Sequence, residues 1–97
     1  MQSRVKTAET IRAIRHALGY TQERLAHLLG VTWTTVHRWE AGSSVPTGMV
    51  VRLLDLLHEA VKDPRLKSYL RNWTGGDPML VLHELLRANY RQTRRRS

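Results

Sequence analysis

The chain has 97 residues, room for one domain and hardly more, and its 41% hydrophobic content suits one modest core rather than wholesale disorder. It carries 16 basic residues against 8 acidic, a formal net charge of +8, and no cysteine, which excludes disulfides, iron–sulfur clusters and thiolate zinc sites. No apolar run approaches the ~18 residues of a membrane span, and nothing after Met1 reads as a signal peptide, so the expected location is cytoplasmic with no membrane partner.

The pattern is helical from end to end, with no alternating β-branched run long enough for a strand and no internal repeat. Thr7 is placed to cap a first helix over about 8–18, with Ile11, Ile14 and Leu18 on one face and Gly19 at its stop. Thr21 caps a second over about 22–29, with Leu25, Leu28 and Leu29 facing inward, ended by Gly30. Thr32 caps a third over about 33–41, ended by Gly42. Helices this short hold only by packing against each other.

Beyond the loop Gly42-Ser43-Ser44-Val45-Pro46, the spacing predicts a stronger helix from about Thr47 to Val61. Met49, Leu53, Leu54, Leu56, Leu57, Ala60 and Val61 fill an arc of roughly 160° on its wheel, with Arg52, Asp55, His58 and Glu59 opposite. Two Asp-Pro pairs, Asp63-Pro64 and Asp77-Pro78, open two further helices, because Asp caps and Pro suits the first helical position. The first of these carries Leu66, Tyr69, Leu70 and Trp73 at helical spacing. The second carries Met79-Leu80-Val81-Leu82, Leu85, Leu86 and Tyr90. Residues 91–97 hold four arginines and no hydrophobe, and read as a basic disordered tail. The expected division is therefore 1–61, a helical extension 62–90, and the tail 91–97.

All but three of the sixteen basic residues are arginine, the side chain best suited to forked recognition of phosphate and guanine. Nucleic acid is the first partner such a charge suggests. The most informative spacing lies over 22–41. Two short helices meeting at a steep angle need a small residue where their backbones touch, and Ala26 is there. The turn needs a residue tolerant of positive φ, supplied by Gly30. Apolar contacts from the turn and second helix into the core come from Val31, Val36 and Trp39.

With its Thr21-Gln22, Ala26, Leu29-Gly30-Val31, Val36, Arg38-Trp39-Glu40, Gly42 and Pro46, this stretch resembles the Cro/phage-repressor type of helix-turn-helix domain, also called the xenobiotic-response-element family. The resemblance covers about residues 8–61, and the Arg-Trp-Glu-x-Gly-x-x-x-Pro run is its most specific piece. The expected fold class is all-α: a compact five-helix helix-turn-helix repressor-like domain over about 8–61, extended by one or two C-terminal helices.

The resemblance implies that Gln22 and the loop Ser43-Ser44 anchor DNA phosphates, and the cap Thr21 is a further candidate phosphate contact. It also implies that Trp33, Thr34, Thr35, His37 and Arg38 read bases. Arg38 suits a bidentate contact to guanine, and Thr34 a thymine methyl or a phosphate. Trp33 departs from the small polar or amide residue usual at its position. It either packs on thymine methyls or folds back onto the protein. Glu40 matches a position that pairs with an arginine of the first helix, here Arg15, the alternative being that both are solvated.

Because Arg38 and Glu40 leave the third helix nearly neutral, non-specific attraction must come from elsewhere. Arg4, Lys6 and Arg12 near the first helix are candidate phosphate contacts. Lys62, Arg65, Lys67 and Arg71 form a basic group on the fifth helix, either solvated or set near an anion. Arg94-Arg95-Arg96 reads as either a DNA-binding arm or a solubilising tail.

Five histidines, His16, His27, His37, His58 and His83, contain no metal-binding i, i+4 pair, and no carboxylate cluster or phosphate-cradling loop appears. No enzyme, catalytic residue, metal or cofactor is expected. The apolar residues of the last helix cover roughly 200° of its wheel, more than one core face needs. Met79, Leu82, Leu85, Leu86 and Tyr90 are the candidate interface of a homodimer, against a helix sunk centrally in a monomer. The expected function is a sequence-specific double-stranded DNA-binding transcriptional regulator, a repressor. The alternative is an antitoxin-type interaction module whose residues 62–97 hold a toxin protein.

Overall fold

A computed structural model describes the backbone of residues 7–96 and the side chains of residues 7–88. Its helices are α1 (Ala8–Leu18), α2 (Gln22–Leu29), α3 (Trp33–Glu40), α4 (Met49–Ala60), α5 (Pro64–Arg71) and α6 (Pro78–Arg96). No strand occurs among the described residues, and none of these helices is long and apolar enough to cross a membrane. The fold is all-α. Residues 8–61 hold four helices, and the fifth starts only at Pro64.

Local chemistry sets the ends of the first three helices. The Thr7, Thr21 and Thr32 hydroxyls accept from the backbone N–H three residues on, at 3.1, 3.1 and 3.2 Å. Each such cap stabilises its helix by about 1 kcal/mol. At the other ends, Gly19 and Gly30 sit at φ 69° and 73°. There the amides of Gly19 and Tyr20 close onto the carbonyls of His16 and Arg15, and those of Gly30 and Val31 onto His27 and Ala26. That is the paired closure of a helix ending in a left-handed residue. Asp63 caps α5 by accepting from Arg65 N–H, with Pro64 as its first residue.

The core gathers Ile11, Ile14 and Leu18 of α1, Leu25 of α2, Val36 of α3, Leu54 and Leu57 of α4, Leu70 of α5 and Val81 of α6. Tyr20 locks the α1–α2 link to α5, its buried hydroxyl donating to the Leu70 carbonyl at 2.6 Å.

Three details differ from the sequence reading. Instead of opening near Thr47, α4 starts at Met49 after Gly48 at φ 71°, without a side-chain cap. Met49 then overhangs the core in the first turn and is 78% exposed, and Val50 and Leu53 pack against the core instead. α6 continues to Arg96, through most of the segment expected to be disordered. Once a helix exists, adding a residue needs only one further hydrogen bond, and Arg and Gln are good helix formers.

The third difference splits the expected dimer set. α6 packs on α4 and α2, burying Leu85 in the monomer's own core and half-burying Leu82. These two are therefore intramolecular core residues, since the stripe they share with Val81 faces inward. Met79 and Leu86 stay 55% and 40% exposed, and the Tyr90 side chain lies outside the described residues.

Candidate nucleic-acid interface

α2 and α3 are joined by the three-residue turn Gly30-Val31-Thr32. Ala26 is buried on the face of α2 that meets α3, where a larger side chain would hold the helices apart. Val36 is fully buried and Trp39 nearly so, which fixes one side of α3 against the core. Glu40 is buried beside them.

The opposite side of α3 faces solvent. Trp33, Thr34, His37 and Arg38 are all exposed and span an arc of roughly 140° on the helix wheel. Trp33 lies on His37, with ring centroids 5.3 Å apart and planes 24° from parallel. The Trp33 ring thus rests on the protein's own surface, with 49% of the residue still exposed. Thr35 is turned aside: it is half-buried, and its hydroxyl lies 2.8 Å from that of Thr32.

Behind this face lies a polar network centred on Glu40. Arg15 grips the carboxylate side-on, Nε donating to Oε2 at 2.7 Å and Nη2 to Oε1 at 2.9 Å. The Gln22 amide donates to Oε1 at 3.2 Å, and its own oxygen lies 3.4 Å from His37 Nδ1. Arg12 donates to the Glu40 carbonyl at 2.5 Å, where the end of α3 carries negative partial charge. Burial pushes the Glu40 carboxyl up, but the hydrogen bonds from Arg15 and Gln22 and the charges of Arg15 and Arg12 outweigh it. The net effect holds the group below its ordinary value.

The structure thus draws Arg12 and Gln22 into the packing of α3, two residues the sequence reading assigned to phosphate. Gln22 keeps one amide proton for an outside acceptor. Ser43 and Ser44 are exposed beyond α3, and the Ser43 amide is spent on the Arg38 carbonyl at 2.9 Å. Arg4 and Lys6 lie outside the described residues. The Trp33–His37 stack was missed, although its i, i+4 spacing is a readable signal. No group of metal-binding side chains occurs among the described residues.

A family model described as a helix-turn-helix domain matches residues 8–65, well over half of the chain. The chain belongs to the helix-turn-helix domain family. No curated protein and no solved structure matches it. The helix-turn-helix domain takes in α1 to α4 and the opening of α5, leaving α6 outside. In such domains the second helix of the pair lies in the DNA major groove, so membership suggests a DNA-binding regulator. The second helix of the pair in this helix-turn-helix domain is α3.

Proposed function

We propose that the protein is a sequence-specific double-stranded DNA-binding transcriptional regulator, acting as a repressor by occupying its operator. The observation that carries this reading is the two-sided character of α3. Val36, Trp39 and Glu40 hold it rigidly from behind, while Trp33, Thr34, His37 and Arg38 stand exposed in front. Recognition needs side chains that reach base edges from a helix that does not move.

Arg38 donates its fork to guanine O6 and N7, the commonest specific contact in the major groove. It forms no ion pair with another described residue, so its donors are free for a base. The Trp33–His37 stack presents a flat apolar plate suited to thymine methyls, and Thr34 reaches a methyl or a phosphate. Ser43, Ser44, the Thr21 region and the free amide proton of Gln22 anchor phosphates. The +8 charge supplies the non-specific attraction, which weakens steeply with salt as counterions are released.

The regulator acts as a homodimer on half-sites about one helical turn apart, with the exposed Met79 and Leu86 of α6 at the dimer contact. The same exposed residues, with Leu80, favour one second reading, in which this face of α6 holds a toxin protein.

The test is selection of binding sites from genomic fragments, with wild type and Arg38→Ala side by side at near-physiological salt. An inverted repeat enriched by wild type and degraded in the variant supports the dimeric reader. Enrichment of no motif by either protein overturns it. A single half-site motif with a monomeric mass overturns the homodimer alone.

A further inference from the structure

A second feature lies on the flank of α2 away from α3. The first turn of α2 and the link after α5 enclose an open cleft of about 370 Å³, lined by Thr21, Glu23, Arg24, His27 and the Trp73–Gly75 stretch. That volume is within the range of small-ligand sites, about 300–1,000 Å³.

Arg24 is its distinctive group. Its guanidinium carbon sits 4.5 Å over the Tyr20 ring and 5.7 Å from the Trp73 ring. Tyr20 is itself anchored through Leu70, and His27 packs on Trp73 with centroids 5.4 Å apart. The cation is therefore fixed in place and partly stripped of water. Its Nε is buried with no hydrogen-bond partner, and among the described residues no carboxylate pairs with it. The side chain as a whole is half-buried, and a partly desolvated guanidinium without a counter-charge gains from charge-assisted hydrogen bonds between its outer nitrogens and an anion, among the strongest available to it.

We propose that this cleft binds a single oxyanion, a phosphate or carboxylate group, gripped by the outer nitrogens of Arg24 beside the Trp73 ring. The indole and the His27 ring wall the cleft with flat apolar surface that suits the organic body of a small acid or phosphate ester. The Glu23 carboxylate on the rim disfavours a ligand with several negative charges. Two sources carry this chemistry: a free small anion, and a phosphate of the DNA backbone, since Thr21 opens the helix whose start is proposed to meet DNA. Only the second source rests on the proposed DNA reading.

The test is a nitrogen-15 NMR titration of the full chain with inorganic phosphate and with acetate, ionic strength being held constant with sodium chloride. The Trp73 indole and Gly75 amide signals are expected to shift saturably, with those of Trp39 unmoved. The shift is lost in Arg24→Gln and partly kept in Arg24→Lys, which retains the cation and guards against loss of fold. A parallel titration with the selected duplex separates the sources. If DNA moves Trp73 and Gly75, phosphate competes, and Arg24→Gln lowers the slope of log affinity against log salt by about 1, the occupant is a DNA phosphate. If phosphate saturates the site while DNA moves only Trp33, the occupant is a free anion. Saturation by phosphate with no response to DNA anywhere sinks the DNA reading and leaves the site standing. No saturable shift at Trp73 with phosphate, acetate or DNA, or an equal shift in Arg24→Gln, overturns the proposal.

Discussion

Arg15 of α1 and Glu40 at the end of α3 meet in a two-bond, side-on pair, the Glu40 side chain being only 5% exposed and that of Arg15 17%. The third arm of Arg15 donates to the Tyr20 carbonyl at 3.0 Å. One guanidinium therefore ties together the first helix, the link into α2 and the base of α3. This pair joins α1 to the end of α3, the helix that carries Arg38.

Glu40→Ala should destabilise the protein by about 3 kcal/mol, the lower end for breaking a buried pair, because Arg15 keeps its bond to Tyr20. Replacing both partners, Arg15→Met with Glu40→Met, should cost less than the single change, since no buried charge is then orphaned. Urea unfolding at pH 7 checks both. Equal midpoints for wild type and Glu40→Ala would show that the pair contributes nothing.

The same pair predicts a pH dependence. The folded state holds the Glu40 carboxyl below its ordinary value of 4.5, so the unfolded chain binds the proton more readily. The stabilisation is therefore complete above that ordinary value and fades as pH falls through the lower folded value. The gap in stability between wild type and Glu40→Gln should be constant from pH 7 to 5 and shrink below about 4.5. A gap that widens on acidification would reverse the assigned sign. Paired urea titrations across that range measure it.

Arg38→Ala should weaken binding to the best operator by about 1–3 kcal/mol and relax preference at one base position. Its stability should stay within about 0.5 kcal/mol of wild type, because the side chain is exposed and makes no ion pair among the described residues. Fluorescence anisotropy on matched and single-substituted operators reads the first effect, and thermal melting the second. Uniform weakening across all operators would assign Arg38 to phosphate instead.

Neighbouring leucines of α6 should behave in opposite ways. Leu85→Ala empties a buried core position and should cost about 2–5 kcal/mol. Leu86→Glu should leave monomer stability nearly unchanged and break the proposed dimer. Unfolding at low concentration, with sedimentation velocity at micromolar concentration, tells the two apart. Leu86→Glu sedimenting as wild type would remove Leu86 from any dimer contact.

Much of this was open to a reader of the chain alone, and the reason is locality. The Thr caps and the Gly30 stop act within about four residues, so Thr7, Thr21, Thr32 and Gly30 mark helix ends without any tertiary information. The spacing likewise turned Val36 and Trp39 inward, because a helix turns by about 100° per residue wherever it sits, whereas the outward placing of Trp33 and Arg38 was what the family resemblance implied. What escaped was decided by neighbours distant in sequence. Met49 and Leu85 share an apolar character, yet one overhangs the end of the core and the other fills it. Their fates depend on where α4 and α6 cross, which no local pattern encodes. Gln22 and Arg12 were expected at phosphates, the first from the resemblance and the second from its charge, and nothing local in the chain marked Arg24. The folded chain instead turns Gln22 and Arg12 onto Glu40 and lays Arg24 over Tyr20 and beside Trp73. The sequence by itself determined the Thr and Asp caps, the Gly stops and the inward residues of α3, because those follow from short-range hydrogen bonds and periodicity. Only the tertiary structure decided which polar groups became partners, because a charge drawn out of water takes whatever partner packing brings within reach.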